Sequence, residues 1–151
     1  MYHPHEAIAD QLFTFLRNTA ALQLRTPQEE LVMDRSCYVI LSLLEGQGPQ
    51  RLGRVAAEFR LDPSTITRQV QAVVQRGYAE KTPDPSDRRA SILSLTSRGR
   101  DAVRAAREAR LEFLDELLAE WTAAEREEFL HALKRFNATT GRWLDSSQQP
   151  S

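Results

Sequence analysis

Apolar residues recur every three or four positions through most of this chain, which is the spacing of amphipathic helices. Two such stretches open the sequence, from Pro4 to Arg25 and from Met33 to Glu45. Thr26-Pro27 ends the first, and a run of helix-breaking residues, Gly46 to Pro49, ends the second. The pattern therefore predicts two helices, each with one apolar face.

The next two predicted helices lie close together along the chain. The shorter one is marked by four apolar residues at helical spacing: Leu52, Val55, Ala56 and Phe59. The other begins with Asp62 as its N-cap and Pro63 at its first position, because a carboxylate bonds the free N–H groups there and proline is pre-set for a helix. Its apolar face carries Ile66, Val70, Val73 and Val74, and Gly77 ends it. Two helices joined by a brief turn predict a helix-turn-helix.

After Gly77 the apolar period changes from helical to extended. Tyr78 to Thr82 predicts one strand, Ser91 to Leu95 predicts its partner, and Pro83 to Ala90 predicts the loop between them. The sequence thus predicts a two-stranded β-hairpin whose tip carries an Arg-Arg pair.

Helical spacing returns from Ser97 to Leu144. Thr122 interrupts this stretch and, with Glu125 three residues later, has the pattern of a capping box that starts a final helix. The polar tail that follows is expected to fray. The predicted fold class is mainly α with a small β-hairpin, and 151 residues fit one domain.

Charge is distributed unevenly along the chain. The net charge is −1, yet residues 51–100 hold ten Lys or Arg and five Asp or Glu, between two acidic flanks. A phosphate chain responds to the local field, so a basic patch on a neutral protein is enough to bind nucleic acid. The predicted helix-turn-helix and hairpin form this patch.

The helix that begins at Pro63 has the side chains of a helix that enters the major groove. With its apolar face anchored, Ser64, Thr65 and Arg68 are expected to project outward, flanked by Thr67 and Gln71. Serine and threonine bond phosphates or base edges, whereas arginine prefers guanine O6 and N7. Arg68 is therefore the best candidate for sequence readout.

The hairpin is expected to lie along the adjacent minor groove, where the negative potential favours an inserted arginine. Arg88 and Arg89 are the candidates at its tip. Asp87 would repel phosphate, so we expect it to hold one guanidinium and fix the shape of the loop.

Three segments together resemble the MarR family of winged-helix transcriptional regulators: LGRVAAEFRLDPSTITRQVQAVVQRGYAEK, DPSDRRASILSLT and SLTSRGRDAVRAA. The hairpin corresponds to the wing, in which the family has Asp-x-Arg followed by Leu-Thr, here Asp87-Arg88-Arg89 and Leu95-Thr96.

The resemblance implies a homodimer that binds a pseudo-palindromic DNA operator, and it favours a repressor. A cytoplasmic location is expected separately, because the sequence shows neither a membrane span nor a secretory signal. Residues 1–32 and 97–146 then correspond to dimerisation helices, 33–96 to the DNA-binding lobe and 147–151 to a frayed tail. The resemblance also implies phosphate contacts from Arg54 and Lys81 and release from DNA by a small aromatic or anionic effector. The apolar faces of the first and last helices independently favour a dimer, since they exceed what a small helical head can cover.

Two alternatives stay open at this point. One is a winged helix that docks on another protein instead of DNA. The other is a thiol-based sensor that uses Cys37. This cysteine has no Lys or His neighbour in the sequence, and Arg35, two residues away, is expected to point elsewhere. No nucleophile–base pair, cofactor motif or metal-ligand spacing is recognisable, so an enzyme, a cofactor and a metal are not expected. No segment is apolar enough to predict a membrane span or a secretory signal.

Overall fold

The computed structural model describes residues 4–25 and 35–147. Over these residues the helices and strands follow one another as α1 (Pro4–Arg25), α2 (Arg35–Gln47), β1 (Gln50–Arg51), α3 (Leu52–Phe59), α4 (Pro63–Gln75), β2 (Ala79–Asp84), β3 (Asp87–Leu95), α5 (Ser97–Leu117) and α6 (Ala123–Ser147). The expected break at Thr26-Pro27 and the expected helix start at Met33 lie outside the described residues. The mainly helical fold with a small sheet is confirmed.

The chain divides into two compact units, Met1–Glu108 and Ala109–Ser151. The first unit holds one apolar core to which helices α2 to α5 and the sheet all contribute. Its fully buried side chains come from α2 (Ile40, Leu41), α3 (Val55), α4 (Val73), β3 (Leu93) and α5 (Val103). The second unit consists of the end of α5, a short turn and α6.

Helix α4 begins as its sequence predicts. The Asp62 carboxylate accepts a hydrogen bond from the Thr65 backbone N–H at 2.9 Å, and Pro63 lies in the first turn. Arg60, with a left-handed φ of 50°, ends α3 and turns the chain toward this cap. Gly77, with a φ of +75°, turns the chain out of α4 toward the sheet, a conformation that costs glycine little.

The sheet has three antiparallel strands in the order β1-β3-β2, so the prediction of a two-stranded hairpin is incomplete. Gln50 pairs with Leu93 and Arg51 with Ile92. A strand of two residues is too short to show an alternating pattern, and only its partner β3 defines it.

The predicted loop from Pro83 to Ala90 is wrong, because both strands continue through it. Strand β2 runs to Asp84 and β3 begins at Asp87, so only Pro85 and Ser86 separate them. Asp84, which is 4 % exposed, accepts hydrogen bonds from the Ser86 backbone N–H at 2.9 Å and from its hydroxyl at 2.8 Å. These bonds close a tight turn. A composition rich in Pro, Asp and Ser is typical of both turns and longer loops, so the sequence did not distinguish the two.

The junction between the sheet and α5 is built around Thr96. Its hydroxyl donates to the Gly77 carbonyl oxygen at 2.6 Å and accepts from the Gly99 N–H at 3.0 Å, while its own N–H donates to the Tyr78 carbonyl at 3.1 Å. Thr96 therefore caps α5 and also ties its start to the end of α4.

The capping box predicted at the start of α6 is confirmed. The Glu125 carboxylate accepts from the Thr122 N–H at 2.7 Å, and the Thr122 hydroxyl accepts from the Glu125 N–H at 3.2 Å. The Thr122 N–H, and after it the Thr122 hydroxyl at 2.8 Å, donate to this carboxylate and hold the pKa of Glu125 below its ordinary value. Helix α6 continues through Asp145 to Ser147, which is farther than the pattern predicted, and residues 148–151 lie outside the described part.

Candidate nucleic-acid interface

Helix α4 has one buried and one exposed face. Ile66, Val70 and Val73 are buried in the core, as their spacing predicts. The exposed face carries Ser64, Thr67, Arg68 and Gln71, whereas Thr65 is half-buried. The structure thus brings the five predicted major-groove residues onto the first turns of one anchored helix.

The hydroxyls at the start of α4 are both engaged by Asp62. Ser64 Oγ lies 2.5 Å from Asp62 Oδ1, and Thr65 Oγ1 lies 2.7 Å from Asp62 Oδ2. The Ser64 hydroxyl, and after it the hydroxyl and the N–H of Thr65, hold the pKa of Asp62 far below its ordinary value. The cap was predicted from the sequence, but this second set of bonds was not.

The wing residues Asp87, Arg88 and Arg89 are all exposed. The pairing shifts from Pro83–Ser91 to Asp84–Asp87, so Arg88 to Ala90 form an irregular segment of β3 with no opposing residues on β2. Such a bulge re-aims side chains and twists the strand. It presents the two arginines outside the regular ladder.

Asp87 does not have the contact that we expected. Its carboxylate accepts from the Arg89 backbone N–H at 3.0 Å, so it shapes the start of β3 through the main chain and not through a guanidinium. A side chain two residues before an N–H is already within reach of it, which is the geometry of an Asx turn.

Asp84 is the wing aspartate that holds a guanidinium, and sequence reasoning missed it. Arg51 Nη2 lies 2.5 Å from Asp84 Oδ2 and donates to Ser86 Oγ at 3.0 Å. The Ser86 backbone N–H, then its hydroxyl and then Arg51 lower the pKa of Asp84. Strand β1 is thereby tied to the turn of the wing. Because the sequence pattern did not predict β1, it could not predict this contact either.

The two predicted phosphate contacts, Arg54 on α3 and Lys81 on β2, are exposed. Lys81 also lines a groove of about 260 Å³ that lies between α3, α4 and β2. Its remaining lining residues are Leu52, Thr67, Val70, Gln71, Val74 and Gln75. The groove brings Lys81 onto the same surface as Thr67 and Gln71 of α4.

Comparison with known proteins decides the family. The model of the MarR family matches residues 34–91. The uncharacterized HTH-type transcriptional regulator YxaD of Bacillus subtilis is 34 % identical over 135 residues, which cover 89 % of this chain and 94 % of that protein. The chain belongs to the MarR family. It is a helix-turn-helix transcriptional regulator that binds DNA, and not an enzyme.

Solved structures agree with this fold. A crystal structure of MarR superposes with a TM-score of 0.77 at 20 % identity, covering 91 % of this chain and 93 % of that one. The PcaV transcriptional regulator of Streptomyces coelicolor, solved in complex with its natural ligand, gives a TM-score of 0.69 at 26 % identity, covering 91 % and 94 %.

Each unit of this MarR-family regulator exposes large apolar side chains. In the first unit they include five residues of α1: Ile8, Leu12, Phe13, Phe15 and Leu16. In the second unit they lie on the end of α5, at Trp121 and along α6, which has no buried residue over its described length. Phe13 is 74 % exposed and Trp143 is 66 % exposed.

Cys37 lies in the core of the first unit and is 2 % exposed. The sequence places no Lys or His beside it, but the fold brings Arg76 Nη1, at the end of α4, to 3.6 Å from its Sγ. Sequence spacing could not reveal this contact between two helices. The sensor role of Cys37 stays a prediction.

No group of three or more potential ligand residues that could hold a metal occurs within 4–25 and 35–147. Across the same ranges, no helix combines the length and the apolar character that a bilayer crossing needs.

Proposed function

We propose that this MarR-family regulator is a cytoplasmic homodimeric repressor that binds a pseudo-palindromic operator. Its α4 helices enter successive major grooves and its wings enter the flanking minor grooves. The observation that carries the proposal is the exposed polar face of α4, anchored by a buried apolar face and followed by a wing with two exposed arginines. A helix held in this way can reach base edges without unfolding its own core.

Each candidate residue has one part in the proposal. Arg68 reads a guanine, and Ser64, Thr65, Thr67 and Gln71 supply shorter contacts around it. Arg88 and Arg89 enter the minor groove, Arg54 and Lys81 bond phosphates, and Asp87 fixes the main chain beside the wing arginines.

The exposed apolar faces support the homodimer. Clusters of this size on a soluble chain mark contact surfaces, and self-association covers the same face on both copies. A two-fold axis then sets two copies of α4 about one DNA turn apart, roughly 34–36 Å.

A small aromatic or anionic effector is proposed to release the operator. The relative PcaV was solved with its natural ligand, which supports the idea that this chain also takes a ligand. An effector acts by binding more tightly to a dimer whose recognition helices are wrongly spaced, which shifts the population away from the DNA-competent form.

Selection of bound duplexes from a random pool tests the proposal, followed by affinity measurements on the selected duplex at several salt concentrations. A dimer with about 6–10 phosphate contacts loses roughly 10³–10⁵ in affinity between about 50 and 200 mM salt. A winged helix that serves protein docking enriches no palindrome and binds all duplexes with similarly weak affinity.

Arg68→Ala tests the assignment of base readout. Loss of a bidentate contact to guanine should weaken binding to the selected operator by about 1–3 kcal/mol and flatten the base preference at one position of each half-site. The measurement is competition between operator variants. Equal losses on the operator and on random duplexes would make Arg68 a phosphate contact.

A further inference from the structure

The start of α4 carries two hydroxyls whose protons already have a partner. Ser64 Oγ and Thr65 Oγ1 lie 2.5 Å and 2.7 Å from the two oxygens of the Asp62 carboxylate. An ionised carboxylate can only accept hydrogen bonds, and a hydroxyl has one proton to give. Both hydroxyl protons therefore point at Asp62, and toward solvent the two oxygens offer lone pairs only.

This polarity restricts what DNA can present to them. Phosphate oxygens are acceptors, so neither hydroxyl can bond a phosphate without leaving Asp62. Leaving it breaks a charge-assisted bond, which is roughly twice as strong as a neutral one, and brings phosphate against a carboxylate. In the major groove the only base donors are the amino groups of cytosine N4 and adenine N6, whereas guanine and thymine present acceptors.

We infer that Asp62 sets Ser64 and Thr65 as hydrogen-bond acceptors, so that the start of α4 selects cytosine or adenine at the base positions that it faces. Asp62 is a positioning residue that acts through the two hydroxyls. The inference rests on the proposed function, because it assigns base preferences within the same interface. It complements Arg68, which donates and selects guanine.

The experiment is selection from a random duplex pool, run in parallel with the wild type, Ser64→Ala, Thr65→Val and Asp62→Asn. The first two variants remove one acceptor each and mark the operator positions where base preference flattens. At those positions the wild type is expected to prefer cytosine or adenine to guanine or thymine by about three- to tenfold in affinity, which corresponds to one hydrogen bond.

Asp62→Asn is the decisive variant because asparagine caps a helix as well as aspartate does. In the wild type Thr65 Oγ1 donates to Asp62 Oδ2. In Asp62→Asn the amide nitrogen takes the place of Oδ2 and donates to Thr65 Oγ1, so the threonine hydroxyl proton becomes available to DNA. The preference at the Thr65 position should then relax toward guanine or thymine. Affinity for every duplex should also rise, since one negative charge is removed from the interface.

Thermal unfolding of each variant separates loss of fold from loss of preference, and the Ser64→Ala arm decides the matter even if Asp62→Asn is unstable. Guanine or thymine at the marked positions overturns the inference, as does an unchanged preference in a folded Asp62→Asn variant. A wild type that enriches a palindrome but fails these two criteria leaves the proposed function intact. A wild type that enriches no duplex overturns both.

Discussion

Gly99 lies where the first turn of helix α5 approaches Tyr78, in the segment that joins α4 to β2. A Cβ atom added to it would lie 1.9 Å from the Tyr78 carbonyl oxygen and 3.0 Å from a methyl carbon of Leu95. The Tyr78 carbonyl cannot move freely, because it accepts the Thr96 N–H that joins the sheet to α5. The glycine is therefore required by a close approach of two backbone segments.

Gly99→Ala is expected to lower the free energy of unfolding by about 1–3 kcal/mol, because the added methyl group forces α5 away from Tyr78. Urea unfolding at fixed protein concentration measures the change. Gly46→Ala is the matched control, since nothing lies within 4 Å of a Cβ there. It should leave stability unchanged or raise it by up to about 1 kcal/mol. An unaltered urea midpoint for Gly99→Ala contradicts the proposed packing.

Asp84 makes the free energy of unfolding depend on pH in the acidic range. Its pKa lies below the ordinary value of 3.8, first because of the two bonds from Ser86 and then because of Arg51. Between the folded and unfolded pKa values the unfolded chain binds a proton that the folded chain does not, so stability falls as the pH falls through that window. Above the unfolded pKa the full stabilisation is present.

Asp84→Asn should therefore lower the free energy of unfolding near neutral pH and make its decline below about pH 4 shallower than in the wild type. Urea unfolding at a series of pH values from about 5 to about 2 gives this slope. Arg51→Gln is the control that removes the guanidinium and keeps both bonds from Ser86, which are the leading causes of the shift, so it should change the slope less. Identical slopes in Asp84→Asn and the wild type contradict the role given to Asp84.

Some contacts of these residues could be predicted from the sequence and others could not, depending on how far apart the two partners lie along the chain. The Asp62 cap and the Thr122–Glu125 box involve partners three residues apart, so a local pattern contains them. The contacts from Arg51 to Asp84 and from Arg76 to Cys37 join distant segments. No spacing rule specifies such pairs before the fold is known.

At the scale of elements, the wing depends on an irregular strand. Arg88 to Ala90 have no pairing partners on β2, while Asp84 and Asp87 close the turn just before them. A bulge at a strand end gives arginine side chains a direction that a regular ladder does not. The wing is therefore shaped on both sides, by Asp84 within the turn and by Asp87 at the start of β3.

Arg88→Ala with Arg89→Ala should weaken operator binding most on sites with A·T-rich flanks, since a narrow minor groove attracts inserted arginine. Footprinting should show loss of flanking protection, with the central major-groove contacts retained. Arg17→Ala with Arg104→Ala removes the same charge from exposed positions on α1 and α5 and controls for net charge. A double wing variant with unchanged flanking protection argues against minor-groove insertion.

The helices were more predictable than the sheet for a physical reason. Helices α3 and α4 each carry a periodic apolar face, α4 also has a local cap at Asp62, and the predicted positions of both helices are confirmed. Strand β1 has two residues, and the turn at Pro85-Ser86 is closed by a buried carboxylate that composition cannot distinguish from a solvated one. Pairing across the sheet decides both features.

At the scale of the whole molecule, the exposed apolar faces of α1, α5 and α6 are expected to be buried in an interface. Stable interfaces between proteins bury about 1,200–2,000 Å², and the exposed aromatic residues of these helices are of the type that anchors them. In the proposed homodimer, binding at two half-sites depends on burying these faces, because only a fixed pair of α4 helices matches both grooves at once.

Leu133→Glu with Phe136→Glu places two charges on the apolar face of α6 and should convert the dimer into monomers. The wild type is expected to sediment at twice 17.2 kDa and the variant at that mass, with helical content retained in circular dichroism. Operator affinity should fall because each half-site then binds alone. Arg142→Glu makes the same change in net charge on the opposite face of α6 and should stay dimeric. A wild type that sediments as a single subunit at micromolar concentration contradicts the homodimer, whatever its affinity for DNA.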